Sequence, residues 1–228
     1  MTHTLHDTSL TFSVDPEHGA LRSTIFGLFF AIWIVGYAVF NLLIPNQGLN
    51  LIAGLIGFGL AALVVSRLIE PYLRKNWPSG RVLQITADYV RLARRDHVQV
   101  EIKAHEPMSI LLWQFKIKHR RNRVPAGWSV LACALEQDDF YLPVYTLASP
   151  EQSQALAEKA HFAGLISDKD LKSRDIRQDT LRVTGEQRRL RLAESHRWAD
   201  GAELTLPDFE QFLARLRTQF PQWMPLDR

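Results

Sequence analysis

The stretch "TIFGLFFAIWIVGYAVFNLLIPNQGLNLIAGLIGFGLAALVVS", residues 24 to 66, contains no Asp, Glu, Lys or Arg in 43 consecutive positions. The segment "NLLIPNQGLN" (Asn41 to Asn50) interrupts it near its middle. The two halves, Thr24 to Ile44 and Leu49 to Leu68, each provide the roughly 20 apolar residues that a helix needs to cross a hydrocarbon core of about 30 Å. Backbone groups inside lipid must bond to one another, so both halves are expected to be helical. The stretch therefore predicts a two-helix transmembrane hairpin over residues 24–68.

Two other interpretations of the apolar stretch are open. A buried helical hairpin in a soluble protein would need helices that lack a polar face over this whole length, which is rare in water-soluble folds. A cleaved signal peptide is disfavoured because the first span is too long for an h-region and Arg22 is the only Lys or Arg ahead of it.

Positive charges near the ends of the spans set the expected orientation. The short turn "PNQG" carries none, whereas Arg67, Arg74, Lys75 and Arg81 closely follow the second span. Residues 67–228 hold 26 of the 27 Lys and Arg and 21 of the 24 Asp and Glu. Both termini are therefore expected to be cytoplasmic, with the basic excess on the side of the anionic inner leaflet.

Small residues recur at intervals of four in the second span, at Ala53, Gly57 and Ala61. This spacing permits close helix packing inside a membrane. Gly27 and Ala31 of the first span are the expected partners, and an oligomer interface is the alternative. Residues 24–66 contain no Asp, Glu, Lys, Arg or His of the kind that marks an ion or proton path, so no transported solute is indicated.

The chain after the hairpin changes to the two-residue period of strands. Residues 1–23 form a cytoplasmic N-terminal segment, and residues 69–80 are a juxtamembrane connector. Six strand-like runs with short links then fill the predicted domain over residues 81–165: "RVLQIT", "YVRLARR", "HVQVEI", "MSILLWQFKIK", "GWSVLACALE" and "FYLPVYTL". They predict a curled antiparallel sheet or partial barrel.

A helix is expected to close this domain, within "SPEQSQALAEKAHFAG". Ser149 is placed to cap it, Pro150 suits the first helical position, and Gln152 completes a capping box. Gly164 offers a C-terminal stop. The predicted fold class is thus an α+β membrane protein: a two-helix transmembrane hairpin followed by a cytoplasmic antiparallel β partial barrel with a capping helix.

This order of elements resembles bacterial membrane proteins that carry pleckstrin-homology-like (PH-like) domains. The similar segments are "GRVLQITADYVRL" (Gly80 to Leu92), "VQVEI" and "SILLWQF" (Ser109 to Phe115). The resemblance implies a seven-stranded, helix-capped barrel that serves as a binding or assembly module without catalysis. A seventh strand is not evident before Ser149.

The last part of the chain, residues 166–228, opens with a charged stretch without periodicity up to Asp179. "LRVTGEQRRL" (Leu181 to Leu190) then parallels "LQITADYVRL" (Leu83 to Leu92) and predicts a short β-hairpin, with a partial repeat as an open alternative. An amphipathic helix follows, and it is expected to dock on the main domain or on a second subunit. Its apolar face comprises Phe209, Phe212, Leu213, Leu216 and Phe220.

Motifs of enzyme chemistry are missing from the sequence. It has no glycine-rich phosphate loop outside the spans, no nucleophile elbow, no HExxH and no Cys/His cluster. One cysteine, Cys133, excludes an intramolecular disulfide and a multi-cysteine metal site. A non-enzymatic protein without cofactor or metal is expected.

A basic cluster lies between two predicted strands and is expected to form a hairpin tip. It consists of Lys116, Lys118, Arg120, Arg121 and Arg123. The cluster is either a solvated tip that blunts a sheet edge or a contact for anionic lipid or a phosphorylated ligand. The formal net charge of only +3, and flanking aromatics at core positions, argue against nucleic-acid binding.

These features favour a non-enzymatic membrane-anchored binding or assembly module in the bacterial inner (cytoplasmic) membrane. An accessory subunit of a larger membrane complex and an anionic-lipid-sensing regulator are the alternatives. The expected partners are membrane lipid and either a protein or a second copy of the chain.

Overall fold

A computed structural model describes residues 9–16, 18–44, 50–118, 124–166 and 180–224, with the backbone alone for residues 180–184. The chain falls into two units. One lies within Asp15–Ser79 and is helical, and the other combines the chain up to Val14 with the chain from Gly80 onward.

The helical unit contains α1 (Gly19–Leu43), α2 (Leu51–Val64), a π-helical turn (Val65–Ile69) and α3 (Glu70–Asn76). The last three are continuous. Both Gly19–Leu43 and the joined helix are long and apolar enough to cross a membrane. The first begins at Gly19 and so extends ahead of the predicted span.

The outer surfaces of these helices are apolar and exposed. Leu42 is 85% exposed and Leu51 is 77% exposed. Burying such side chains is the main favourable contribution to folding in water, so a soluble protein would not leave a row of them uncovered. The interpretation as a buried hairpin within this chain is therefore disfavoured, and the membrane interpretation is supported.

The first sheet contains a strand that was not expected from the sequence. It has the antiparallel order β1 (Leu10–Ser13), β2 (Arg81–Ile85), β3 (Tyr89–Arg94) and β4 (His97–Lys103). Strand β1 precedes the helical unit and β2 follows it, and the two pair along their length. The helical unit is thus inserted into the connection between the first two strands.

The second sheet is built from three long antiparallel strands, β5 (Ser109–Lys116), β6 (Ser129–Gln137) and β7 (Phe140–Ala148). Two-residue strands pair in parallel with its edges: β8 (Ala163–Gly164) joins β5, and β9 (Ala202–Glu203) joins β7. Both edges of this sheet are therefore covered by later parts of the chain.

In the described ranges, the sheets are accompanied by α4 (Pro150–Lys159), α5 (Thr180–Asp200) and α6 (Leu206–Gln219), with a 3₁₀ turn at Pro221–Trp223. The start of α4 has the predicted capping box between Ser149 and Gln152. The expected stop at Gly164 is wrong, because α4 ends at Lys159 and Gly164 belongs to β8.

Two hydrophobic cores lie on opposite faces of the second sheet. The first core lies between the two sheets and is closed by residues of α4 and α6, such as Leu156 and Phe212. The second core joins the outer face of the β5–β7 strands to α5, with Trp113 and Leu190 buried within it. Coverage on both faces explains why β6 is a nearly continuous apolar run.

The predicted β-hairpin at Leu181–Leu190 is wrong, because this segment lies within helix α5. A repeat of the β2–β3 hairpin is excluded with it. The buried side chains Gln187, Leu190 and Ala193 recur at the three-residue interval of a helical face.

The α+β class, with two long apolar helices and antiparallel sheets, is confirmed. Within the described residues the sheets do not close into a barrel. The Gln137 side chain links them at one point: its Oε1 accepts from the Lys103 N–H at 2.9 Å, and its Nε2 donates to the Lys103 carbonyl at 2.9 Å.

Candidate functional site

Glycines lie at a close approach between α1 and α2. A Cβ added at Gly36 would lie 3.2 Å from the Gly57 Cα, and one added at Gly57 would lie 2.9 Å from the Tyr37 backbone nitrogen. A side chain at Gly57 would force the backbone of α1 to shift, and one at Gly36 would make a tight contact with α2.

The small-residue row of α2 faces α1, as Ala53, Gly57 and Ala61 are all buried. Gly27 and Ala31 of α1, however, are exposed. The partner of the row is therefore Gly36, further along α1 than the sequence suggested.

Both ends of the helical unit are joined to each other. A ring nitrogen of His18, just before α1, lies 3.1 Å from the Trp77 carbonyl oxygen that follows α3. The two rings also meet edge to face, with centroids 5.9 Å apart. The points where the chain enters and leaves this unit are consequently close together.

The described part of the basic cluster lies at the end of β5. Lys116 is the last residue of that strand, and both Lys116 and Lys118 are exposed. The Ile117 N–H donates to the Trp128 carbonyl at 2.8 Å, which extends the β5–β6 hairpin past the strand ends. The other members, Arg120, Arg121 and Arg123, lie outside the described residues, so a contact of this cluster with a ligand stays a prediction.

The aromatic residues beside the basic cluster do not form an open stacking surface. Trp113 is fully buried, and Phe115 and Trp128 are partly buried. Single-stranded nucleic acid is usually held by exposed aromatic rings beside basic groups. The placement of these rings adds to the sequence argument against such a partner.

The apolar face of α6 is already occupied. Phe209, Phe212, Leu213, Leu216 and Phe220 are all buried in the first core. Of the two docking alternatives, packing on the main domain is thus the one observed, and this face is covered and not open to a second subunit.

A polar network that the sequence did not reveal joins α5 to the second sheet. The Tyr141 hydroxyl donates to Glu136 Oε1 at 2.6 Å, and Arg189 Nη2 donates to Glu136 Oε2 at 2.6 Å and to the Ser109 hydroxyl at 3.0 Å. His196 stacks on the Tyr141 ring, with centroids 4.4 Å apart.

The network shifts the titration of its own members. Partial burial favours the neutral form of Glu136, but the hydrogen bonds from Tyr141 and Arg189 and the guanidinium charge outweigh this and lower the pKa of the carboxyl. Burial and the hydrogen bond to Glu136 raise the pKa of Tyr141 to about 12. At neutral pH the network therefore holds an ionised Glu136 and a neutral phenol.

A second polar contact is more deeply buried. Glu194 accepts from the Trp113 indole at 3.1 Å and from Arg197 through two hydrogen bonds of 2.7 and 2.6 Å. The Arg197 guanidinium also lies 4.7 Å from the centroid of the Tyr145 ring. The i,i+3 spacing of Glu194 and Arg197 was visible in the sequence, but their burial was not.

Burial and contacts within the chain limit the reactivity of these groups. Cys133 is buried, and burial raises the pKa of its thiol far above the ordinary value, which removes the reactive thiolate. Within the described ranges no group of three or more His, Cys, Asp or Glu side chains is placed to hold a metal ion. Arg189 of α5 holds Glu136 of the sheet, and Trp113 of the sheet holds Glu194 of α5, so both carboxylates are engaged in contacts that tie α5 to the sheet.

In comparisons with known proteins, no family model, no curated protein and no solved structure matches the chain.

Proposed function

We propose that this chain is a non-enzymatic, membrane-anchored binding or assembly module that presents a PH-like domain at the cytoplasmic face of a bacterial inner membrane. The pairing of β1 with β2 carries this proposal. The Val14 N–H donates to the Arg81 carbonyl at 3.3 Å, so the strands on either side of the helical unit belong to one sheet. A domain built in this way is attached to the helical hairpin by two chain connections.

The strand count supports a PH-like domain. The resemblance implies seven strands followed by a helix, and strands β1–β7 followed by α4 provide that number in that order. The strand missing from the sequence pattern is β1, because it is separated from β2 by the helical hairpin. Helices α5 and α6 are additions to that arrangement.

The two attachment points support presentation over recruitment. The chain passes from one unit to the other at Val14–Asp15 and at Ser79–Gly80, so a membrane-inserted hairpin would keep the domain at the membrane whether or not the domain binds a ligand. The basic residues beside the helix ends, including Arg74 and Lys75, favour the cytoplasmic side for both connections.

Membrane fractionation tests the anchor. In cells that produce the full chain, the protein is expected to stay in the membrane pellet after extraction with alkaline carbonate. Release into the soluble fraction would show that the apolar helices do not insert, and would remove the proposal.

An accessory subunit of a larger complex is the second candidate, and α5 favours it. Leu192 is 47% exposed and Trp198 is 72% exposed on this helix, although its other side is buried. Exposed aromatic side chains of this kind are common anchors of protein interfaces.

The double variant Leu192→Ser/Trp198→Ser should lose a partner that co-purifies in mild detergent, while Arg188→Ser, also on the exposed side, keeps it. A protein that migrates alone before mutation is not such a subunit.

The lipid-sensing alternative depends on the basic cluster at the β5–β6 hairpin. Only Lys116 and Lys118 of that cluster lie in the described ranges. This alternative therefore stays a sequence-based prediction.

A further inference from the structure

The helical unit contains a cavity of about 290 Å³ beside the start of α1. The α1 wall is apolar and is made by Leu21, Ile25 and Phe29, which lie one helical turn apart, with Phe26 beside them. A water molecule takes up roughly 30 Å³ in the liquid, so the cavity has several times the volume of one water molecule. It is large enough for part of an acyl chain.

Val65 and three charged residues complete the lining of the cavity. Arg22 lines it from α1, and Val65, Glu70 and Arg74 line it from the joined helix. Arg74 forms an i,i+4 ion pair with Glu70, and both side chains keep substantial exposure. The lining thus includes two guanidinium groups and one carboxylate.

The π turn explains how these charges reach the cavity. Its defining bond runs from the Glu70 N–H to the Val65 carbonyl, five residues back. In a regular α-helix a residue five positions on is rotated by about 140° from the first. In the π turn the two are joined by a backbone hydrogen bond, as residues four apart are in an α-helix, and so lie on the same side of the helix. Arg74 follows one α-helical turn later. The extra residue therefore places Glu70 and Arg74 on the same side of the helix as Val65.

The position along the sequence matches the boundary of the apolar stretch. Arg22 lies just before its first residue and Glu70 and Arg74 lie beyond its last, while Phe26 and Phe29 lie inside it. In a membrane, the charged rim would thus be at headgroup depth and the apolar wall at acyl-chain depth. Phe26 is 66% exposed, so the apolar part is open to the lipid side.

We propose that this cavity binds one anionic phospholipid, with an acyl chain against Ile25, Phe26 and Phe29 and the phosphate held between Arg22 and Arg74. This inference rests on the proposed membrane anchor. Guanidinium groups bind phosphate through paired hydrogen bonds, and the bilayer supplies both parts of the ligand at the depth where the cavity needs them.

Native mass spectrometry of the full chain in neutral detergent tests the proposal. The delipidated protein is mixed with phosphatidylglycerol or with phosphatidylcholine of the same acyl chains. We expect one phosphatidylglycerol to bind per chain. Its occupancy should be at least about fivefold above that of phosphatidylcholine, because a fivefold preference needs only a modest difference in binding free energy, which one favourable charge contact can supply.

Charge-matched variants locate the site. Arg22→Gln/Arg74→Gln should reduce the occupancy of phosphatidylglycerol to that of phosphatidylcholine. Arg67→Gln/Lys75→Gln removes the same charge from residues of the same unit that do not line the cavity, and should keep the preference. Equal losses in the two double variants would overturn the proposal, because they would show a diffuse charge effect.

Two further arms separate the alternatives. Ile25→Trp fills the apolar part and should lower the occupancy of both lipids, with thermal unfolding of the variant as the folding control. Displacement of phosphatidylglycerol by excess inorganic phosphate would overturn the lipid assignment. A chain that resists carbonate extraction but binds both lipids equally refutes this inference alone, whereas a chain released by carbonate refutes the proposed anchor.

Discussion

Gly57 is the residue with the least space for a side chain in the helical unit. An added Cβ would lie 2.9 Å from the Tyr37 backbone nitrogen and 3.3 Å from the Trp33 carbonyl oxygen. Gly57→Leu should push α1 and α2 apart and cost about 1–3 kcal/mol, as overpacking does. Gly59→Leu is the matched control, because a Cβ there meets no described heavy atom within 4 Å. Unfolding in sodium dodecyl sulfate measures both, and equal midpoints would contradict the observed crossing.

Glu194 is the acidic residue whose loss should cost most in the sheet unit. It pairs with Arg197, whose side chain is only 9% exposed, so Glu194→Gln leaves a buried guanidinium without its counter-charge. Removing one partner of a buried pair typically costs about 3–5 kcal/mol. Glu210→Gln breaks an exposed pair with Lys159 and should cost at most about 1 kcal/mol. Urea unfolding followed by tryptophan fluorescence compares them, and similar losses would show that the buried pair adds nothing.

Glu136 should make stability depend on pH on the acid side. Its pKa is lowered in the folded state, so its contribution is present above the unfolded value of about 4.3 and is lost as pH falls through the folded value. Glu136→Gln should therefore unfold at lower urea concentration than the unaltered chain at pH 7, and this difference should shrink below about pH 4. A difference that is constant from pH 7 to pH 3 would exclude the ionised carboxylate as its origin.

At the scale of elements, β1 is the least expected part of the fold and is open to a direct test. Phe12 of this strand is 4% exposed and meets Phe212 edge to face, with ring centroids 6.2 Å apart. Phe12→Ala should cost about 3–5 kcal/mol through lost burial and a cavity. Thr11→Ala, at the neighbouring exposed position, should cost little. The thermal midpoint of the full chain reports both, and an unchanged midpoint for Phe12→Ala would remove β1 from the sheet.

The sequence predicted the elements whose signals are local. Strands β2–β5 and β7 follow from apolar alternation, β6 follows from a short apolar run, and the start of α4 follows from side chains that cap it. Strand β1 has four residues and is stabilised by pairing with β2, far along the chain, so no local pattern marks it. Helix α5 was mistaken for a hairpin because its buried face includes the polar residues Gln187 and Arg197, which find partners only in the folded chain.

The candidate sites were also predictable only where their signals are local in the sequence. The small-residue row at Ala53, Gly57 and Ala61 could be read from its spacing, but its partner Gly36 depends on how two helices are staggered. The shift that brings Glu70 and Arg74 to the same side of the helix as Val65 arises from one extra residue in a helical turn. Sequence periodicity assumes a constant turn, so it cannot show this alignment.

For the whole molecule, the pairing of β1 with β2 requires that the segments before and after the helical hairpin lie on the same side of a membrane. Cysteines introduced one at a time at Ser9, Gln47 and Arg188, in a Cys133→Ala background, test this with a membrane-impermeant maleimide. Ser9 and Arg188 are exposed in the sheet unit, and residue 47 lies between α1 and α2.

In intact cells or right-side-out vesicles, only the cysteine at position 47 should react, and those at positions 9 and 188 should react after the membrane is opened. The positive charge near the helix ends predicts which side of the membrane each cysteine faces. The β1–β2 pairing predicts only that positions 9 and 188 are on the same side. Labelling of both from outside would reverse the orientation and leave the fold intact. Labelling from opposite sides would be incompatible with the ladder, and would refute both the inserted hairpin and the two-point attachment.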